Sequence, residues 1–139
     1  MLQFKELSWY NLTIEVKNNN NIIRILDNVY GKAKAGRMHI IMGPSGSGKS
    51  TLINTLMGHV PFEFRTSGEI LVDDIERKNT FKFMVGLCDQ QDAYFDYYTA
   101  FDFLKFHSFG KNRNIDENES EERINFLLKR LALDEKRNT

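Results

Sequence analysis

Nine consecutive residues, Gly43, Pro44, Ser45, Gly46, Ser47, Gly48, Lys49, Ser50 and Thr51, hold the most legible chemistry in this sequence. Gly43, Gly48, Lys49 and Ser50 fit the pattern G-x-x-x-x-G-K-[ST]. Each residue type answers a need of polyphosphate binding. Glycines let the backbone curl around an anion without Cβ clashes, so that successive N–H groups converge on oxygen. A helix starting just after the loop adds unsatisfied N–H groups and the positive end of its dipole. Lys49 is suited to reach the β- and γ-phosphates of a nucleotide, and the Ser50 hydroxyl to complete a Mg²⁺ shell that already holds phosphate oxygens. The plain alternative is a glycine turn followed by a surface lysine.

A loop of this kind has to be held between a strand and a helix, and the flanking residues supply both patterns. Met38–Met42, "MHIIM", is a short apolar run of the sort that forms a buried parallel strand. After the loop, Leu52, Ile53, Leu56 and Met57 have helical spacing and Gly58 is a stop signal. Upstream, Leu7–Val16 has the β-branched and aromatic content of a strand. An asparagine-rich connection follows, then a second strand in "IIRILDNV" and a turn-rich connector containing Gly31 and Gly36. Downstream, "SGEILVDD" reads as an edge or hairpin strand turning at Asp73-Asp74, and "FKFMVGLCDQ" as a further apolar strand that buries Cys88. Thr99 and Asp102 form a capping box for a helix through "FDFLKFHSF". The stretch "GKNRNIDENES" reads as solvated loop, and Ile124, Leu127, Leu128 and Leu131 mark a closing amphipathic helix. Strands alternating with helices around such a loop predict an α/β fold.

Composition narrows the class of protein. The chain has 139 residues, one domain or part of one, and 41% of them are hydrophobic, enough for a core. Formal net charge is zero, which gives no global electrostatic case for nucleic acid as a partner. The lone Cys88 has no partner for an internal disulfide. The opening residues, with Lys5 and Glu6, do not read as a signal peptide, and no run approaches the ~18 apolar residues that span a bilayer. His39, His59 and His107 share no metal-ligand spacing and read as packed or surface residues. Tyr94, Phe95, Tyr97 and Tyr98 fit either a contact surface or a core.

At this point the chain resembles the nucleotide-binding domain of ATP-binding cassette (ABC) transporters. "GPSGSGKSTLINTLMG" is similar to the Walker A segment of that family, "SGEILVDD" to the strand and turn soon after it, and "VGLCDQQDAYFDYYTAFDFLKF" to its Q-loop passage. The White, or G, subfamily resembles it most, through Gln90-Gln91-Asp92 and the opening strands. The resemblance implies a P-loop NTPase fold, ATP and Mg²⁺ as ligands, and Gln90 as the glutamine that meets Mg²⁺ and the attacking water. An amide suits that role, since it donates and accepts without adding charge beside a metal. It also implies a second cassette and a transmembrane domain as partners, a membrane-associated location with the cassette on the cytoplasmic side, and ATP hydrolysis coupled to transport.

The chain also departs from the family pattern. The position where the family stacks adenine on an aromatic residue falls near Val16 or Lys17, so phosphate contacts are expected to dominate affinity. No Ser-Gly-Gly signature follows the Q-loop, no apolar strand ends in Asp-Glu after it, and no late switch histidine is present. Residues 1–139 therefore read as a partial cassette that binds nucleotide but is inactive alone and poorly stable, with the missing motifs expected beyond Thr139. The rival readings are a non-catalytic nucleotide- or partner-binding product, and a stand-alone P-loop kinase.

Overall fold

The computed structural model of the chain describes residues 4–18, 21–89, 97–111 and 116–138. It divides into two compact units, Met1–Cys88 and Asp89–Thr139.

The first unit is built on a four-stranded antiparallel sheet in the order β2-β1-β3-β4, with β1 spanning Glu6–Asn18, β2 Asn21–Lys34, β3 Phe64–Val72 and β4 Ile75–Glu76. The helix α1, Lys49–Met57, lies between β2 and β3 in the chain. Leu7 and Trp9 of β1 are buried at odd positions, Leu12 and Ile14 at even ones, and all four belong to one cluster. A plain strand could not do this, because successive side chains alternate faces. The register slips between Trp9 and Leu12, where Asn11 adopts φ 50°, and this bulge returns the next apolar pair to the core. Gly68 faces the bulge from β3 with φ 96°, and a side chain there would collide with the Asn11 carbonyl. Leu26 of β2, Ile70 of β3, Phe81, and Leu52 and Leu56 of α1 complete the cluster. α1 is thereby fastened to the sheet by its apolar face.

Several expectations hold here. The strand over Leu7–Val16 is β1, and the Asp73-Asp74 turn joins β3 to β4 with φ of 50° and 64°, the left-handed pair of a tight hairpin. The Asp73 carboxylate accepts the N–H groups of Lys5 and Glu6 at 2.7 and 2.8 Å, tying the turn to the start of β1. The asparagine connection is shorter than expected, for Asn18 already pairs with Asn21, and Asn19 and Asn20 lie outside the described residues.

Three readings of this unit are corrected. The Gly31 region is not a turn: β2 continues to Lys34, Gly31 pairs with Trp9, and the indole lies across the glycine where a side chain would collide with it. The turn comes at Gly36, with φ 71°. Met38–Met42 is not a buried strand but an irregular segment, with Met38 88% and Met42 87% exposed. A parallel strand needs a neighbour to satisfy its ladder, and all strand pairings among the described residues are antiparallel ones made elsewhere. Of "FKFMVGLCDQ", the described residues Phe81–Asp89 likewise form no strand. Phe81 is buried at a 3₁₀ turn, Asn79–Phe83, while Phe83, Met84 and Leu87 are exposed, and so is Cys88, contrary to the expected burial.

The second unit pairs α2, Ala100–Lys111, with α3, Glu117–Arg130. The capping box forms as expected: Asp102 N–H donates to the Thr99 hydroxyl oxygen at 3.1 Å, and the Asp102 carboxylate accepts from Thr99 N–H at 3.2 Å and from its hydroxyl at 2.6 Å. These bonds, from the side chain first and then the backbone of Thr99, hold the Asp102 carboxyl below its ordinary pKa. Of the stretch read as loop, Gly110 and Lys111 close α2 and Glu117–Ser120 open α3, capped by Asp116 accepting from Asn118 N–H at 3.2 Å, while residues 112–115 lie outside the described residues. Ser108 and Ser120 hydroxyls meet at 2.8 Å and Lys105 pairs with Glu117 at 2.8 Å, joining the two helices. The apolar stripe of α3 is narrower than its spacing predicts. Ile124 and Leu128 are buried, whereas Leu127 is 46% and Leu131 62% exposed, because α2 covers one side of α3.

Candidate functional site: the glycine loop and the start of α1

The loop forms as its residue types require. Gly46 and Gly48 have φ of 79° and 84°, left-handed values that side-chain-bearing residues rarely adopt. Gly43 has a different reason for being glycine, since a Cβ there would lie 2.7 Å from the Ser47 hydroxyl. Ser47 N–H donates to Pro44 O at 3.3 Å and closes the turn.

Lys49 reaches back over this turn. Its ammonium donates to the carbonyls of Gly43 at 2.9 Å and Pro44 at 2.6 Å, and lies 3.5 Å from the Ser47 hydroxyl. The first residue of α1 is thus tied to the first two of the loop, and a full positive charge sits inside the curl of backbone. The start of α1 is open. Gly48 caps it without any side-chain hydrogen bond, and no acidic residue occupies the first turn. The first helical bond is Leu52 N–H to Gly48 O at 2.8 Å, so the N–H groups of Lys49, Ser50 and Thr51 have no carbonyl within the helix. Ser50 is exposed there, with its hydroxyl one residue from the ammonium-bearing Lys49.

Sequence reasoning missed what seats this loop. Gly48 lies against β2, where a Cβ would be 2.7 Å from Leu26 Cδ2 and 3.2 Å from Ile25 O. The glycine therefore serves both the loop's curl and its contact with the sheet. Nothing in the local pattern signals this, because the partners lie more than twenty residues upstream.

This arrangement suits a polyphosphate. It offers N–H donors, one ammonium and the positive end of a helix whose first turn carries no acidic residue. It also suits a magnesium ion held mainly by phosphate oxygens, to which the exposed Ser50 hydroxyl can add one ligand. Gln90, the other expected metal contact, lies outside the described residues, as do Tyr94 and Phe95. Tyr97, next to them, is 97% exposed. Val16 and Lys17 border a hollow of about 170 Å³ together with Glu15, Ile22 and Arg65, and no aromatic residue lines it. Trp9 is buried under the sheet and Tyr10 is exposed, as strand-face residues. His39 accepts Lys34 N–H at 2.9 Å, His107 packs on Phe103 with ring centroids 4.4 Å apart, and His59 is exposed. Among the described residues no three metal-binding side chains gather, and no helix is long and apolar enough to cross a membrane.

A glycine loop of this geometry, leading into a helix packed on a sheet, defines a phosphate-binding P-loop fold. The sequence matches the family described as ABC transporter over residues 26–139, and the chain belongs to that family. It is 36% identical over 119 residues to a pleiotropic ABC efflux transporter of multiple drugs from Saccharomyces cerevisiae, covering 78% of this chain and 8% of that protein. It is 35% identical over 117 residues to ABC transporter G family member 4 of Dictyostelium discoideum, covering 84% of this chain and 14% of that one. The expected likeness to the G subfamily is met by this second relative. Among solved structures, it resembles the dimeric post-hydrolysis state of the ATP-binding cassette MJ0796 bound to ADP and Pi. The TM-score is 0.77 at 27% identity, over 95% of this chain and 60% of that one. The chain thus spans a small part of the transporters it matches and three-fifths of a solved cassette.

Proposed function

We propose that the chain binds Mg-ATP as part of an ABC cassette whose hydrolysis of ATP, in a longer protein, drives movement of a substrate across a membrane. The observation that carries this reading is the Lys49 ammonium, held by the Gly43 and Pro44 carbonyls beside an uncapped helix start. Gly43, Pro44, Ser45, Gly46, Ser47, Gly48 and Thr51 wrap the phosphates, Lys49 meets the β- and γ-phosphates, and Ser50 supplies one ligand to Mg²⁺. Gln90 senses the metal and the attacking water. Binding alone positions the phosphates and offsets their ground-state charge. Stabilising the charge that develops in the transition state requires further groups, which a second cassette supplies across a dimer interface. Residues 1–139 form the nucleotide-binding part of that cassette, on the cytoplasmic side of the membrane and coupled there to a transmembrane domain.

Calorimetric titration with Mg-ATP tests the assignment. Lys49→Ala removes a charge-assisted contact worth on the order of 1.5–3 kcal/mol, a tenfold or larger loss of affinity. Equal affinities for the wild type and the variant would refute it.

A further inference from the structure

The phosphate site uses the first turn of α1, and the other end of that helix meets an unusual cation. α1 stops at Gly58, with φ 88°, where Gly58 N–H donates to Thr55 O at 3.1 Å and His59 N–H to Asn54 O at 2.8 Å. No basic residue belongs to its last turn, so the helix itself does nothing to offset the negative end of its dipole. The Arg77 guanidinium fills this place from just beyond β4. A Cβ on Gly58 would lie 2.5 Å from Arg77 Nη1 and 3.7 Å from its Cζ, with Lys82 Cβ at 3.2 Å on the same side. The backbone of Arg77 is itself anchored to the sheet, its N–H donating to Ile70 O at 2.8 Å.

This arginine is placed at a cost. Its Nε is buried without a hydrogen-bond partner, and burial lowers the pKa of the guanidinium from its usual value. It belongs to none of the ion pairs among the described residues. A half-buried cation without a carboxylate is disfavoured unless another negative potential compensates it. The carboxyl end of α1, against which it lies, is such a potential.

We propose that Arg77 is a positioning residue for the phosphate loop: its guanidinium braces the carboxyl end of α1 and so holds the N–H groups of Lys49–Thr51 where phosphate binds. The helix has nine residues, so its two ends are only about 13 Å apart and move as one rigid piece. The sheet side of that piece is fixed by Leu52, Leu56 and the contact of Gly48 with Leu26. Arg77 fixes the remaining end. This inference rests on the reading that the loop binds nucleotide.

The test titrates Mg-ATP into the 139-residue chain and its variants by calorimetry, with melting curves in parallel. Arg77→Met keeps the apolar stem and removes the charge. Its Kd is expected to rise about three- to tenfold, the size of effect a cation exerts at a partly buried helix carboxyl end. Arg77→Lys restores a charge and is expected to recover a good part of the lost affinity. If Arg77→Met does not fold, Arg77→Gln serves as the neutral variant, with the same expected loss. A neutral variant whose Kd stays within about twofold of the wild type overturns the proposal, even if its melting temperature falls. Equal weakening by Arg77→Lys and the neutral variants overturns it too, since charge would then play no part. A wild-type chain that fails to bind Mg-ATP removes the nucleotide reading and this inference together, an outcome separable from the others because no substitution is involved.

Discussion

Gly48 separates conformational from packing requirements in the loop, and a comparison with Gly46 puts numbers on both. Both residues have left-handed backbones, at 84° and 79°. An alanine in that conformation costs roughly 1–2 kcal/mol from the clash of Cβ with the following carbonyl. At Gly46 the added methyl meets nothing within 4 Å, so the conformational cost stands alone. At Gly48 the methyl would sit 2.7 Å from Leu26 Cδ2 and 3.2 Å from Ile25 O. Leu26 is buried in the core cluster and can yield only by disturbing its neighbours, for about 1 kcal/mol more. Gly46→Ala is therefore expected to destabilise the chain by roughly 1–2 kcal/mol and Gly48→Ala by roughly 2–3 kcal/mol. Urea denaturation of the two variants and the wild type, with and without Mg-ATP, measures the difference. If the two alanines lower stability equally, the contact between the loop and β2 does not support the site, and the reasoning fails. A Gly48→Ala variant as stable as the wild type would refute the left-handed conformation itself.

Four further outcomes follow from the site and its supports. Thr99→Ala removes the cap of α2 and is expected to lower stability by about 1 kcal/mol in denaturant unfolding. Because the folded-state pKa of Asp102 is depressed, its contribution is present above the ordinary carboxylate range and is lost as pH falls through the lowered value; an acid titration in which the Asp102→Asn chain and the wild type lose stability in parallel would contradict this. GTP is expected to compete with ATP within a few-fold, since no aromatic residue lines the hollow beside Val16 and Lys17, and a competition titration showing a strong preference for ATP would point to base contacts elsewhere. The chain by itself is expected to show no ATP turnover approaching about 1 per second in a phosphate-release assay, and turnover at that rate would reveal a catalytic group within these residues.

The parts of this protein that were legible in its sequence are those whose partners lie within a few residues of one another. The glycine loop is contiguous, and the spacing of Gly43, Gly48, Lys49 and Ser50 carries its own geometry. The same holds for the stop of α1 at Gly58 and for the Thr99–Asp102 capping box, whose bonds span three residues. What tertiary structure decided involves partners far apart in the chain. Met38–Met42 has the composition of a buried strand, yet a strand exists only by pairing, and no described strand runs beside it. Gly31 looked like a turn because a glycine's purpose cannot be told from its neighbours; the indole of Trp9, twenty-two residues away, makes it a strand position. Leu127 and Leu131 share the spacing of Ile124 and Leu128, and only the side on which α2 lies determines which pair is buried. The bulge at Asn11 and the glycine at position 68 that faces it are one feature divided between two strands. Local periodicity names the faces of an element, but which face is covered depends on contacts that form only once distant segments meet.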